Sequence, residues 1–338
     1  MLASNQPTIS DVAKLAGVSI ATVSRVMNGG SLVAEETAQR VRAAIMELKY
    51  TPRAAARVLA SHKTNTIGLL LPEISGAFFQ PLLRGVEAGA RQVGLDLLIH
   101  ATREPRHENT PHRPLGEHNT DGLLVFTDSL DHAELVRLHS IGFPVVLLHQ
   151  TPPKPLNIPV VTIENQSGAQ KIVEHLIEVH GGRRIAFLQG QEGHEDSLWR
   201  ERGYRQALKT HGIPFDPALI LYGGFNGDEA RTTVERMLLN GLQFDAIFAG
   251  DDDSAIGAIM ALRQAGRRVP EDVAVAGFDD SSFAHTFSPP LTTVHAPTEQ
   301  VGREAVHQLV RIIRGEKVKP RMVLPTKLVI RQSCGCQA

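Results

Sequence analysis

Residues 8–28 place the tightest local constraint on this 338-residue chain. Thr8 and Asp11 have capping-box spacing, in which each side chain satisfies backbone donors at a helix start. Ile9, Val12, Ala13 and Ala16 follow at i, i+3, i+4 and i+7, which makes one apolar face. Gly17 ends that helix. Ser19 can cap a second helix from Ile20 to Asn28, with Val23, Val26 and Met27 inward and Ile20, Ala21, Ser24 and Arg25 outward. Gly29 and Gly30 stop it, and a third helix is expected from about Glu35 to Leu48, with Ala38, Val41, Ile45 and Leu48 inward. Two short helices around a tight Gly turn, closed by a third, read as a helix-turn-helix unit or, more plainly, as a generic three-helix bundle.

The stretch from Tyr50 to His62 extends this head. Thr51 can cap, Pro52 suits the first helical position, and Ala54, Ala55 and Ala56 favour helix. A helix this short is marginal alone and should form only against a partner. Leu59, flanked by basic residues, is either an apolar wedge able to part a base step in the minor groove or an ordinary core leucine in a linker. Charge separates the head from the rest. Residues 1–63 carry eight basic side chains against four acidic ones, whereas the whole chain sums to −1. A basic head on an acidic body suggests an anion-binding module fused to something else.

Residues 8–28 (TISDVAKLAGVSIATVSRVMN) closely resemble the head of the LacI/GalR family of bacterial transcription regulators. The resemblance continues through Ala34-Glu-Glu-Thr37, Leu48-Lys-Tyr50 and the stretch from Pro52 to Leu59. Downstream it includes Gly277-Phe-Asp-Asp280, Pro289-Pro-Leu-Thr-Thr293 and Arg331-Gln-Ser-Cys-Gly-Cys336. It implies a dimer on a near-palindromic double-stranded operator, with the second helix in the major groove. The paired segments around Leu59 would wedge a central step, by resemblance a CpG. The expected DNA-contacting residues are Thr8, Ser19, Ile20, Ala21, Thr22, Ser24, Arg25, Asn28, Arg53, Ala56 and Leu59. Arg25 should read a guanine, and Ile20 and Ala21 should meet a thymine methyl. Ala34 stands where relatives often have Ser or Thr to cap the third helix.

After Thr64 the pattern changes to short apolar runs alternating with helical ones. Strands are expected at 67–71, 95–100, 122–126, 145–149 and 160–163, and in a second set at 185–189, 219–222, 246–249 and 273–277. Helical patterns at 82–93, 169–180, 200–211, 228–240, 254–265 and 299–314 lie between most of them. Buried runs separated by helices read as doubly wound parallel sheet, and two sets suggest two Rossmann-like lobes with a cleft at the carboxyl ends of their strands. The expected fold is therefore a small all-α helix-turn-helix head plus an α/β core, which the resemblance makes periplasmic-binding-protein-like. The expected boundaries are a head at 1–50, a hinge helix at 51–63 and a core at 64–338. Within the core, one lobe takes about 64–163 and 297–325, and the other about 164–296 and 326–338. Crossings fall near Thr162–Asn165, Ala296 and Thr326. Residues 103–119 should carry a helix by resemblance but show almost no apolar face.

A cleft needs polar groups to orient a ligand and an apolar plate to shield it. Asp251 and Asp279 stand at strand ends, where carboxylates can accept paired hydrogen bonds from sugar hydroxyls; Asp251 can equally cap a helix. Arg200 matches, by resemblance, the family's effector-binding arginine. His149 ends a strand where many relatives place Asp, and reads as a ligand contact or a solvent-facing loop residue. Phe78, Phe79 and Trp199 are candidate stacking plates, with core packing the alternative for the two phenylalanines.

Several classes fall away. No apolar run approaches the length of a membrane helix, and Met1 to Ser10 shows no secretory pattern, so a cytoplasmic location is expected, nucleoid-associated when bound to DNA. No Walker A, nucleophile-elbow, zincin or dinucleotide-binding motif occurs, so neither an enzyme nor a cofactor is expected. His107, His112 and His118 match no zinc spacing, and Cys334 and Cys336 read as two tail thiols without chemistry, so no metal is expected. Nothing after Ala338 supplies a tetramerising heptad tail, which leaves a homodimer as the expected form. The expectation is an allosteric DNA-binding regulator, a repressor, answering to a sugar-like effector. The rivals are a corepressor-dependent regulator taking a nucleobase or phosphorylated metabolite, and a solute-binding receptor without a DNA role.

Overall fold

The computed structural model describes residues 7–27, 33–50, 63–102 and 114–337, which divide into two compact units at the Thr64–Asn65 boundary. In the first unit, α1 (Ile9–Ala16) and α2 (Ile20–Met27) precede α3 (Glu35–Glu47). The Thr8–Asp11 capping box forms in both directions, and Gly17 closes α1 in the left-handed region at φ 65°. The Thr22 amide donates to Ser19 Oγ at 3.2 Å, which starts α2. Val12, Ala13, Ala16, Val23, Val41, Ala44 and Tyr50 form the buried core of this unit. Ala34 offers α3 no side-chain cap.

The second unit holds a six-stranded and a four-stranded sheet, both parallel. The first contains β1 (Thr66–Leu71), β2 (Asp96–Ala101), β3 (Gly122–Phe126), β4 (Val145–Leu148), β5 (Val160–Ile163) and β11 (Arg321–Leu324), in the order β11-β5-β4-β3-β1-β2. The second contains β6 (Ile185–Gln189), β7 (Ile220–Tyr222), β8 (Ala246–Ala249) and β9 (Ala274–Ala276), in the order β7-β6-β8-β9. The central strands β3, β4, β5 and β8 are buried along their whole length, as continuous apolar runs in a helix-covered parallel sheet must be.

Helices α4 (Phe79–Val93), α5 (His132–Ser140) and α10 (Thr298–Ile313) accompany the first sheet. Helices α6 (Asn165–Glu178), α7 (Glu195–Thr210), α8 (Gly227–Leu239) and α9 (Asp252–Gln264) accompany the second. α4 and α10 touch through backbone. A Cβ on Gly85 would lie 1.9 Å from Glu299 O, and one on Gly302 would lie 2.5 Å from Leu82 O. The chain leaves the first sheet after Ile163, returns through β10 (Thr293–His295) to α10, and crosses again from β11 into β12 (Lys327–Val329). β10 and β12 pair antiparallel with each other. Among the described residues, no helix is long and apolar enough to cross a membrane.

The sequence pattern places most core elements within a few residues but omits α5, β10, β11 and β12. The three strands are only three or four residues long, too short to show a period. The expected 51–63 hinge helix falls, apart from its last residue, outside the described residues, as does most of the 103–119 stretch.

Candidate functional site

The first unit presents one polar-rimmed face on α2. Ile20, Ala21 and Arg25 are exposed while Val23 is fully buried, so the helix points the former outward. Ile20 is 49% exposed, a large apolar side chain with no place in the core. Ser19 and Thr8 are exposed and serve as caps, and Thr22 and Ser24 are half-buried. Asn28, Arg53, Ala56 and Leu59 lie outside the described residues.

In the second unit a cavity of about 480 Å³ opens at the carboxyl ends of strands from both sheets. Phe78 and Phe79 come from the connection after β1, Phe126 to Asp128 from the end of β3, and Gln191 and His194 from the turn after β6. Phe225 and Asn226 follow β7, Asp251 and Asp253 follow β8, and Asp279 follows β9. This is where the topology of an α/β sheet leaves strand ends and helix starts facing a crevice.

Arg200, 3% exposed, organises the floor. Its Nε donates to Asn165 Oδ1 at 2.9 Å, and its terminal nitrogens donate to Gly250 O and, at 3.3 Å, to Asp279 Oδ1. Its guanidinium also stacks 3.9 Å over the Phe278 ring. Asp196 accepts from Asn165 Nδ2 at 2.7 Å, lies 2.8 Å from His149 Nδ1, and sits 3.9 Å from Arg200. Burial alone would raise Asp196, but the charges of His149 and Arg200 and the histidine hydrogen bond hold it at about 2. Asp196 is thus a fixed anion.

The other acids behave oppositely. Burial pushes Asp251 up to about 6 and Asp252 to about 7, and it lifts Asp279 well above the usual carboxylate range against the pull of Arg200. Asp251 caps α9 by accepting from the Ser254 amide at 3.1 Å, yet still lines the cavity, so both readings of that residue describe it. Asp252 turns away, accepting from Thr293 Oγ1 and the Ser281 amide, each at 2.6 Å.

Phe79 is both core and cavity wall, packed edge-on against Phe78 and Phe126 at 5.3 Å. His149 is 1% exposed and stands behind the wall, neither a solvent-facing loop residue nor a lining one. Its role here is to hold Asp196. Trp199 also lies off the cavity, donating to Glu195 at 3.1 Å and stacking under Arg202.

Sequence reasoning missed Asn165, Asp196, His194 and Phe225. Phe225 is a second aromatic wall, and its ring occupies the space a side chain on Gly190 would fill, 2.2 Å from the built Cβ. The Gly223-Gly224-Phe225-Asn226 run after a strand was the available signal. His194 Nδ1 is buried without a hydrogen-bond partner in the described structure, and burial lowers its basicity, so a neutral imidazole faces the cavity. Asp128, Phe225 and Asp279 also hold positive φ (57°, 56° and 107°), a strained backbone of the kind that clusters at ligand sites.

Residues 8–53 match the family described as bacterial regulatory proteins, lacI family, and residues 173–334 match the periplasmic binding protein-like domain. The HTH-type transcriptional regulator CelR of Thermobifida fusca is 37% identical over 97% of this chain and 98% of its own length. The chain belongs to the LacI family. A solved CelR–cellobiose complex is 33% identical, covers 97% of this chain and 99% of that one, and superposes with a TM-score of 0.71. The lac repressor dimer bound to operator and the anti-inducer ONPF is 26% identical, covers 98% and 99%, and gives a TM-score of 0.82. As a LacI-family member the chain is a sequence-specific DNA-binding transcriptional regulator, not an enzyme. In LacI-family terms the α2 face is the candidate reading surface and the cavity is the candidate effector site.

Proposed function

We propose that this regulator is a cytoplasmic homodimeric repressor whose cleft takes a neutral, polyhydroxylated ligand, a sugar. The observation that carries the ligand class is the charge of the cavity wall. Asp128, Glu229, Asp251, Asp253 and Asp279 offer acceptors, while the one guanidinium among the described lining residues, Arg200, is already committed to Asn165, Gly250 and Asp279. Acceptors suit hydroxyl donors, and Phe78 and Phe225 suit the apolar face of a ring. Among the described lining residues a phosphate ester would meet acidic side chains and no uncommitted guanidinium, which disfavours the phosphorylated-metabolite reading.

In this reading residues 1–50 bind DNA, 51–63 form the hinge and 64–338 sense the ligand and dimerise. Each head places α2 in the major groove of a palindromic half-site. Arg25 reads a guanine at about 1–3 kcal/mol of discrimination, and Ile20 and Ala21 touch a thymine methyl. Asn28, Arg53, Ala56 and Leu59 complete the DNA contacts. Ligand in the cleft shifts the operator affinity by a coupling of about 1–3 kcal/mol.

Two measurements test this. Calorimetric titration with neutral mono- and disaccharides, cellobiose among them, against sugar phosphates and nucleobases should give binding only to the neutral sugars. Binding confined to phosphates or nucleobases refutes the ligand class. Selection of duplexes from a random library should return a palindrome, and Arg25→Ala should lose preference at one base pair per half-site. A variant with unchanged sequence preference refutes the readout.

A further inference from the structure

Away from the cleft, two histidines and two cysteines converge where the far end of α6 meets the carboxyl-terminal segment. His175 lies in the last turn of α6, and His180 follows just past its end. The terminal Cys-Gly-Cys brings Cys334 and Cys336 against them, so that one donor atom from each residue lies within 4.8 Å of the others. His175 Nε2 is 3.2 Å from His180 Nε2, 3.5 Å from Cys334 Sγ and 3.7 Å from Cys336 Sγ. Cys336 Sγ is 3.5 Å from His180 Nε2.

These four spacings match four of the six edges of a metal tetrahedron, and the other two pairs lie within 4.8 Å. With zinc–nitrogen bonds of about 2.05 Å and zinc–sulfur bonds of about 2.3 Å, tetrahedral angles give nitrogen–nitrogen edges of about 3.3 Å and nitrogen–sulfur edges of about 3.6 Å. The four distances agree with these values to about 0.2 Å. We propose that His175, His180, Cys334 and Cys336 form a closed Cys2His2 site for a divalent cation, with zinc the fitting metal. Two thiolates and two imidazoles in a tetrahedron select zinc over magnesium or calcium, which take oxygen ligands, and four protein ligands leave no open position for catalysis.

The surroundings support a built site. Cys334 is 2% exposed, and its sulfur accepts a hydrogen bond from the buried Thr292 hydroxyl at 3.0 Å, the kind of outer contact that orients a metal-bound thiolate. The Gln332 and Ser333 amides both donate to Pro290 O at 3.0 Å, and Ser333 Oγ donates to Val275 O at 2.6 Å, so the thiol-bearing turn is anchored through its own backbone and Ser333. Gly335 has φ 107°, and a Cβ there would lie 3.2 Å from His180 Nδ1. The glycine between the thiols is what lets the turn sit against the imidazole. The site was hidden in the sequence because Cys334 lies 159 positions from His175, far from any zinc-motif spacing.

The test uses the reduced full-length protein. After equilibration with zinc and desalting, elemental analysis should find one zinc per chain. Cobalt(II) in its place should give intense tetrahedral d–d bands and a thiolate-to-cobalt charge-transfer band. Cys336→Ser should weaken the charge-transfer band, and Cys334→Ser with Cys336→Ser should abolish it and the retained metal. A strong chelator should lower the thermal midpoint of the wild type and leave the double variant unmoved. Because the wild-type spectrum is itself a readout, a variant that fails to fold does not remove the test. No retained zinc, an octahedral cobalt spectrum, or metal retained in full by the double variant overturns the proposal. So does anaerobically purified protein carrying a Cys334–Cys336 disulfide and taking up no cobalt after reduction.

Discussion

Replacing Arg200 by Met tests the electrostatic design of the cleft. The substitution keeps a similar apolar stem but removes the donors to Asn165 and Gly250 and the cation beside Asp196 and Asp279. Arg200 and Asp196 are both 3% exposed, so solvent screens little of the loss. Breaking a buried charged network by removing one partner costs about 3–5 kcal/mol. At about 2–4 °C per kcal/mol for a large domain, the melting temperature should fall by roughly 6–20 °C at neutral pH. The sign of the pH dependence follows. Arg200 is the main group opposing the burial that lifts the Asp279 carboxyl, so without it Asp279 titrates still higher in the folded protein, and the folded variant binds more protons than the wild type over that range. Stability of the variant therefore rises on acidification relative to wild type, and the gap should narrow as pH falls through the raised titration of Asp279. Adding Asp279→Asn to Arg200→Met should recover part of the loss. Scanning calorimetry of the three proteins across pH decides the matter. A loss below about 1 kcal/mol, or a gap flat in pH, would mean that Arg200 is not holding the acids together.

Ligand affinity should itself depend on pH. Burial lifts Asp251 to about 6, hydroxyl donors require its ionised form, and affinity should weaken on acidification below that value, by about tenfold per pH unit for one carboxylate; a dissociation constant flat from about pH 5 to pH 7.5 refutes this. Gly190→Ala should drive the Phe225 ring out of its slot, weakening ligand binding at least tenfold with DNA binding retained; unaltered calorimetric affinity would show that the ring is not part of the site. Ala34→Ser should add a missing cap and stabilise α3 by about 1 kcal/mol, seen as slower amide exchange at Glu36 and Thr37; unchanged exchange would refute the capping argument.

The head was legible because its signals are local. Thr8, Asp11, Gly17 and Ser19 each act within one turn, and the structure uses all four as caps or stops. The sheets were legible because fully buried strands such as 122–126 and 246–249 are unbroken apolar runs. The cleft was half legible. Arg200, Asp251 and Asp279 stood out at strand or helix ends, whereas Asn165 and Asp196 are polar residues at ordinary helix starts whose meaning appears only when Arg200 reaches them. His149 and Trp199 looked like lining residues because each stands at a strand end or beside Arg200, but neither is among the residues that line the cavity; His149 pairs with Asp196 and Trp199 with Glu195, partners far away in the sequence or on the helix that the sequence does not announce.

The β10–β12 ladder has a mechanical consequence. Two of the three passages between the lobes are hydrogen-bonded to each other in register, Thr293 to Val329 and His295 to Lys327. They cannot bend independently without breaking those bonds, so they act as one flexure with a preferred axis rather than as separate tethers. Any closing motion of the lobes is confined by this shared flexure to a narrow family of rotations.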